Sequence, residues 1–135
     1  MTKILLVAGS NSGHQLGVGH DRDVRTLQEA LCRVDSDSQQ VTSLPPAGYT
    51  VVDLSSGANH TLALLERIQD GHGASSGSAT KEVWIAGTGA QGQLGPAHAS
   101  SGSKPLTIFT RLDLEALLDN CADLPRSDWS GASLQ

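Results

Sequence analysis

The sequence predicts an all-β chain built from an internal repeat, on three observations. Two nine-residue blocks read nearly alike, GSNSGHQLG from Gly9 to Gly17 and GTGAQGQLG from Gly87 to Gly95, at a constant spacing of 78 positions. Each follows a short apolar run, Ile4 to Ala8 in the first copy and Val83 to Ala86 in the second. Fifteen glycines against an aromatic set of only Tyr49, Trp84, Phe109 and Trp129 favour short strands and tight turns over one large core. Recurrence on this scale marks a scaffold of like units, whose function usually lies in what its surface binds.

The elements follow in chain order. Lys3 to Ala8 carries β-branched Ile4 and Val7 and stops at Gly9, which reads as a strand. Ser10 to Asp23 is turn-rich, with Gly13, Gly17 and Gly19. Val24, Leu27, Leu31 and Val34 recur at helical spacing, and Asp21 or Asp23 suits a helix cap. The same stretch, LQEALCRV, reads equally as a strand, so residues 24–34 stay open between the two. Asp35 to Gly48 is polar, contains Pro45-Pro46 and reads as an inserted loop. Thr50 to Leu54 and His60 to Leu65 form a strand pair, joined by the turn chemistry of Ser55 to Asn59. Gln69 to Thr80 is low in complexity. Val83 to Ala86 is a fourth strand and Pro105 to Leu112 a fifth, with Leu106, Ile108 and Leu112 as its apolar residues. Leu114 to Leu118 is a short helical candidate before Pro125, and Ser127 to Gln135 is polar. The expected organisation is a repeat region over 1–115 (repeat one 3–65, loop 69–80, partial repeat two 83–115) and a polar tail over 116–135.

Composition narrows the function. A chain of 135 residues holds one domain at most. A net charge of −5, with nine basic residues scattered from Lys3 to Arg126, disfavours binding to a phosphate backbone. Cys32 and Cys121 show no CxxC spacing and read as free thiols in a reducing compartment. The run after Lys3 is too short for a signal-peptide core, and no stretch approaches a membrane span. The expected location is therefore the cytoplasm, with the nucleus as a second compartment.

Candidate chemistry is thin. Gly87, Gly89 and Gly92 satisfy GxGxxG after the apolar VWIA, with Asp113 at 21 residues beyond Gly92, where a ribose-binding acid would stand. That motif requires its third glycine to open a helix, yet Gln93 to Lys104 holds Gly95, Pro96, Gly102 and several serines. The first copy, KILLVAGSNSG before residues 24–34, makes a better strand–helix opening, and Gly9 and Gly13 have GxxxG spacing. A following glycine is replaced by Gln15, and Tyr49 is followed four residues on by Asp53 rather than lysine. A truncated nucleotide-binding oxidoreductase is kept as an alternative on this basis. His14, His20, His60, His72 and His98 lack zinc-site spacing, so no metal is expected. His60 reads as structural, its ring donating to a turn carbonyl, and His20-Asp21 as a surface contact pair. No serine stands in a GxSxG elbow. No catalytic residue and no cofactor is predicted.

The repeated block, with Gly92 in the second copy, resembles the signature of the regulator-of-chromosome-condensation repeat, whose unit reads roughly strand, G-x-N-x-x-G-Q-L-G, strand, then V-x-x-x-x-x-G-x-x-H-T-x-A-L. The last part is matched by Val51 through Gly57, Ala58, Asn59, His60, Thr61, Leu62, Ala63 and Leu64. The match covers about Lys3 to Leu65 and Val83 to Leu112. Departures are His14 where the family has glycine, Gly89 in place of asparagine, and a repeat stretched to 78 residues. The resemblance implies part of a seven-bladed β-propeller, with one to two blades present and polar loop insertions. Its structural motif would be Gly9, Asn11, Gln15, Leu16, Gly17, Gly57, His60, Gly87, Gly92, Gln93, Leu94 and Gly95. Leu16 and Leu94 would plug the space between blades, and glycine would supply positive φ at the tight turns.

Within that family, AGSNSGHQLGVGHDRDVRTLQE resembles the opening of fungal α-tubulin suppressor proteins, through Gly9, Ser10, Asn11, Gln15, Leu16, Gly17, Gly19, His20, Asp21, Asp23, Thr26 and Gln28. This likeness implies a non-enzymatic scaffold whose partner is the small metal-binding protein of diphthamide synthesis, linked to wobble-uridine modification of transfer RNA. A guanine-nucleotide exchange factor, as in the founding member of the family, is the second implied reading. Because a propeller ring needs about four to eight blades, the chain is expected to be an N-terminal fragment, or to fold with a partner that supplies neighbours. No direct contact with nucleic acid or membrane is expected.

Overall fold

In a computed structural model, residues 3–34, 39–68, 80–89 and 104–112 are described. Short apolar runs bounded by glycine become strands throughout: β1 (Leu6–Gly9), β2 (Val24–Glu29), β3 (Leu31–Arg33), β4 (Val41–Ser43), β5 (Tyr49–Ser56), β6 (His60–Arg67), β7 (Lys81–Gly87) and β8 (Leu106–Arg111). Among the described residues there is no helix. Residues 24–34, whose spacing fits helix or strand, form β2 and β3. The residues of the helical stripe prove the poorer core set: Val24 is buried, but Leu31 is only half-buried and Leu27 and Val34 are exposed, whereas Ala30 and Cys32, off the stripe, are fully buried. Asp35 to Gly48 is more than a loop, because Val41–Ser43 pairs with the edge of β3 as β4. The expected loop at Gln69–Thr80 lies outside the described residues except for Thr80, and the helical candidate at Leu114–Leu118 and the tail lie wholly outside them.

β1 and β2 form a two-stranded sheet; the other strands form a curled mixed sheet in the order β4-β3-β8-β7-β6-β5. Strands β5 to β8 are an antiparallel meander, and β3 joins it in parallel through Cys32 opposite Phe109. Between the sheets lies a core of Ala30, Cys32, Leu44, Ala63, Leu65, Trp84, Ala86 and Phe109, with Leu5, Val7, Tyr49 and Val51 packed against it. Alternation along β6 sends Ala63 and Leu65 into this core and leaves Leu62 and Leu64 half-buried on the other face. An ion-pair chain ties the four meander strands together. Glu82 of β7, buried, pairs with Arg111 of β8 at 3.1 Å and Arg67 of β6 at 3.9 Å. Arg67 donates to the Tyr49 hydroxyl of β5 at 2.7 Å, and Tyr49 meets Trp84 edge to face at 6.0 Å.

The repeat is structural as well as textual. β1 pairs with β2 through Leu6–Glu29, Val7–Gln28 and Gly9–Val24, with an irregularity between Val7 and Gly9. β7 pairs with β8 through Trp84–Arg111, Ile85–Thr110 and Gly87–Leu106, with the same irregularity between Ile85 and Gly87. Every β1 residue is 78 positions from its β7 equivalent, and every β2 residue is 82 from its β8 equivalent. The next rung also repeats: the Ala30 amide donates to the Leu5 carbonyl, as the Leu112 amide does to Val83. The closing glycines adopt the same left-handed backbone, φ 120° at Gly9 and 127° at Gly87.

Candidate interaction site

The motif residues gather where the loop after β1 crosses onto the β5–β6 hairpin and the end of β7. Asn11 anchors that loop from inside. It is fully buried, its Nδ2 donates to the carbonyls of His20 (2.6 Å) and Arg22 (3.0 Å), and its Oδ1 accepts from the Leu16 amide at 3.0 Å. Its own amide donates to Asp23 Oδ1 at 3.0 Å. An amide side chain offers donors and an acceptor at once, which few residue types can do in so small a volume. Both ends of the loop are thereby fixed to one residue.

Gln15 then carries the loop across to the turn between β5 and β6. Its Oε1 accepts from the Gly13 amide at 2.8 Å, and its Nε2 donates to the Ala58 carbonyl at 3.2 Å. Two threonines add to this seam. Thr61 donates to the Gln15 carbonyl at 2.7 Å, and Thr88 donates to the Gly13 carbonyl at 3.0 Å. The sequence does not show the partner of either threonine, since the pairings span 46 and 75 positions.

Glycine is required at Gly17, where φ is 65° and a Cβ would lie 2.5 Å from Phe109 Cδ2. Leu16 is half-buried on the wall of a groove between β1 and the β5–β6 hairpin. His14, in the place of the repeat family's glycine, also has a left-handed backbone, φ 62°. Its Nδ1 is buried and has no hydrogen-bond partner among the described residues. For His60, no ring bond to a turn carbonyl forms among the described residues. The turn is closed by the Gly57 amide donating to the His60 carbonyl at 2.9 Å, and the imidazole occupies the space a Cβ at Gly57 would need. His20 is held within its loop, its Nδ1 accepting from the Arg22 amide at 3.1 Å. Gly87 sits at the end of β7 against Asn59 and His60, whereas Gly92, Gln93, Leu94 and Gly95 lie outside the described residues.

Beside this seam runs a groove of about 450 Å³ between β1 and the β5–β6 hairpin. Leu6, Leu16, Leu54 and Phe109 contribute its apolar walls and Ser10 and Gln15 its polar rim, and among the described residues no charged side chain lines it. On the meander's other face, Leu62, Leu64, Val83 and Asp53 line a smaller depression of about 180 Å³.

The glycine loop of the first copy leads into β2, so it offers no helix N-terminus to a pyrophosphate. Among the described residues no group of three or more His, Cys, Asp or Glu could hold a metal, and no helix is long and apolar enough to cross a membrane. Cys32 is a core residue, and burial pushes its thiol up to about 11. Compared with known proteins, the chain matches no family model, no curated relative and no solved structure.

Proposed function

We propose that this chain is part of a non-enzymatic β-propeller scaffold of the regulator-of-chromosome-condensation type, which works by binding another protein. The observation that carries this reading is the repeated unit: β1–β2 and β7–β8 share one register, one irregularity and one glycine conformation. Around it, Asn11, Gln15, Gly17, Gly57 and Gly87 are occupied in turns and in the seam between units. The motif builds the scaffold, and the surface beside it is free to bind. The meander β5–β8 corresponds to one four-stranded blade, and β1–β2 to half of the preceding one.

The resemblance of Gly9 to Gln28 to α-tubulin suppressor proteins supports a specific role. In it the chain is an accessory factor of diphthamide synthesis and of transfer-RNA wobble-uridine modification in the cytoplasm and nucleus, partnered by the small metal-binding protein of the first pathway. Affinity purification of the tagged chain from cells expressing that partner tests the role. Stoichiometric recovery of the partner is expected, and its loss on washing at physiological salt would overturn the assignment. Accelerated release of nucleotide from a small GTPase would instead move the chain to the exchange-factor reading.

A further inference from the structure

We draw no further inference here: the strongest candidate, the exposed apolar face of the β1–β2 sheet that carries Leu6 and Leu27, restates the packing of unit on unit that belongs to the repeat family, and nothing in the structure shows what covers it.

Discussion

Replacing Asn11 should do more damage than any other single change in the glycine loop. Alanine at this position deletes the two bonds to the His20 and Arg22 carbonyls and the one from the Leu16 amide. At about 1 kcal/mol net for each, the loss is about 3 kcal/mol, since partly buried partners recover some hydration. For a chain of this size that lowers Tm by roughly 10 °C. Asn11→Asp separates shape from chemistry. It keeps the volume and the acceptor for Leu16, but places a carboxylate against two carbonyl oxygens. The charged form is disfavoured in the fold, so the folded pKa of the new group is raised above its unfolded value. Stability should then return as pH falls through that raised pKa, when the protonated acid donates to one carbonyl. Urea titration by circular dichroism at pH 7 and pH 5 reads both effects. An alanine variant within about 0.5 kcal/mol of the parent, or an aspartate variant with no recovery at low pH, would refute the idea that Asn11 organises the loop.

Three further outcomes are expected. Gly17→Ala should cost about 2–3 kcal/mol in the same titration, combining a left-handed backbone with a Cβ driven into the buried Phe109 ring. His14→Gly should raise stability by about 0.5–1 kcal/mol, because relief of a positive φ and of an unpartnered buried ring nitrogen outweighs the added freedom of the unfolded chain. A clear loss would show that packing of the ring outweighs its backbone strain. For Cys32, whose folded pKa is raised, the contribution to stability is intact below the unfolded value of 9.0 and is lost as pH rises toward about 11. Across that window the parent should lose up to about 1.4 kcal/mol per pH unit more than Cys32→Ala, a comparison that cancels the Tyr49 phenol, which burial also pushes up. Parallel slopes for the two proteins would place the thiol in contact with water.

The strands that can be read from sequence are those whose pattern is set locally. β1, β5, β6 and β7 each combine apolar residues with a glycine or turn cluster at the end, and β8 follows a proline. The choice at residues 24–34 is decided elsewhere, because β2 needs the edge of β1 and β3 the edge of β8. Leu27, which completes the apparent helical stripe, is the most exposed large apolar residue described, at 68%. β4 carries no signal of its own, since Thr42 and Ser43 become strand only against Cys32 and Leu31. In the site, Asn11, Gln15 and the glycines are visible through the repeat. The repeat signature includes Thr61 but not its partner, and Thr88 carries no signal, because the carbonyls they bind belong to a loop far away in the chain. The conformation of His14 is hidden for a related reason: only the repeat family's glycine hints that the backbone is left-handed there.

The two offsets of the repeat, 78 along β1 and β7 and 82 along β2 and β8, place the length difference between the copies wholly in the connection after the glycine. Four residues have been gained or lost there without moving a single rung of either ladder. The entropic cost of closing a connection grows only with the logarithm of its length, so four residues change it little. The glycine end of each unit is thus a site of permitted editing beside a frame that does not shift. New sequence grafted there would change what this end of the molecule displays while leaving the strand register that supports it intact.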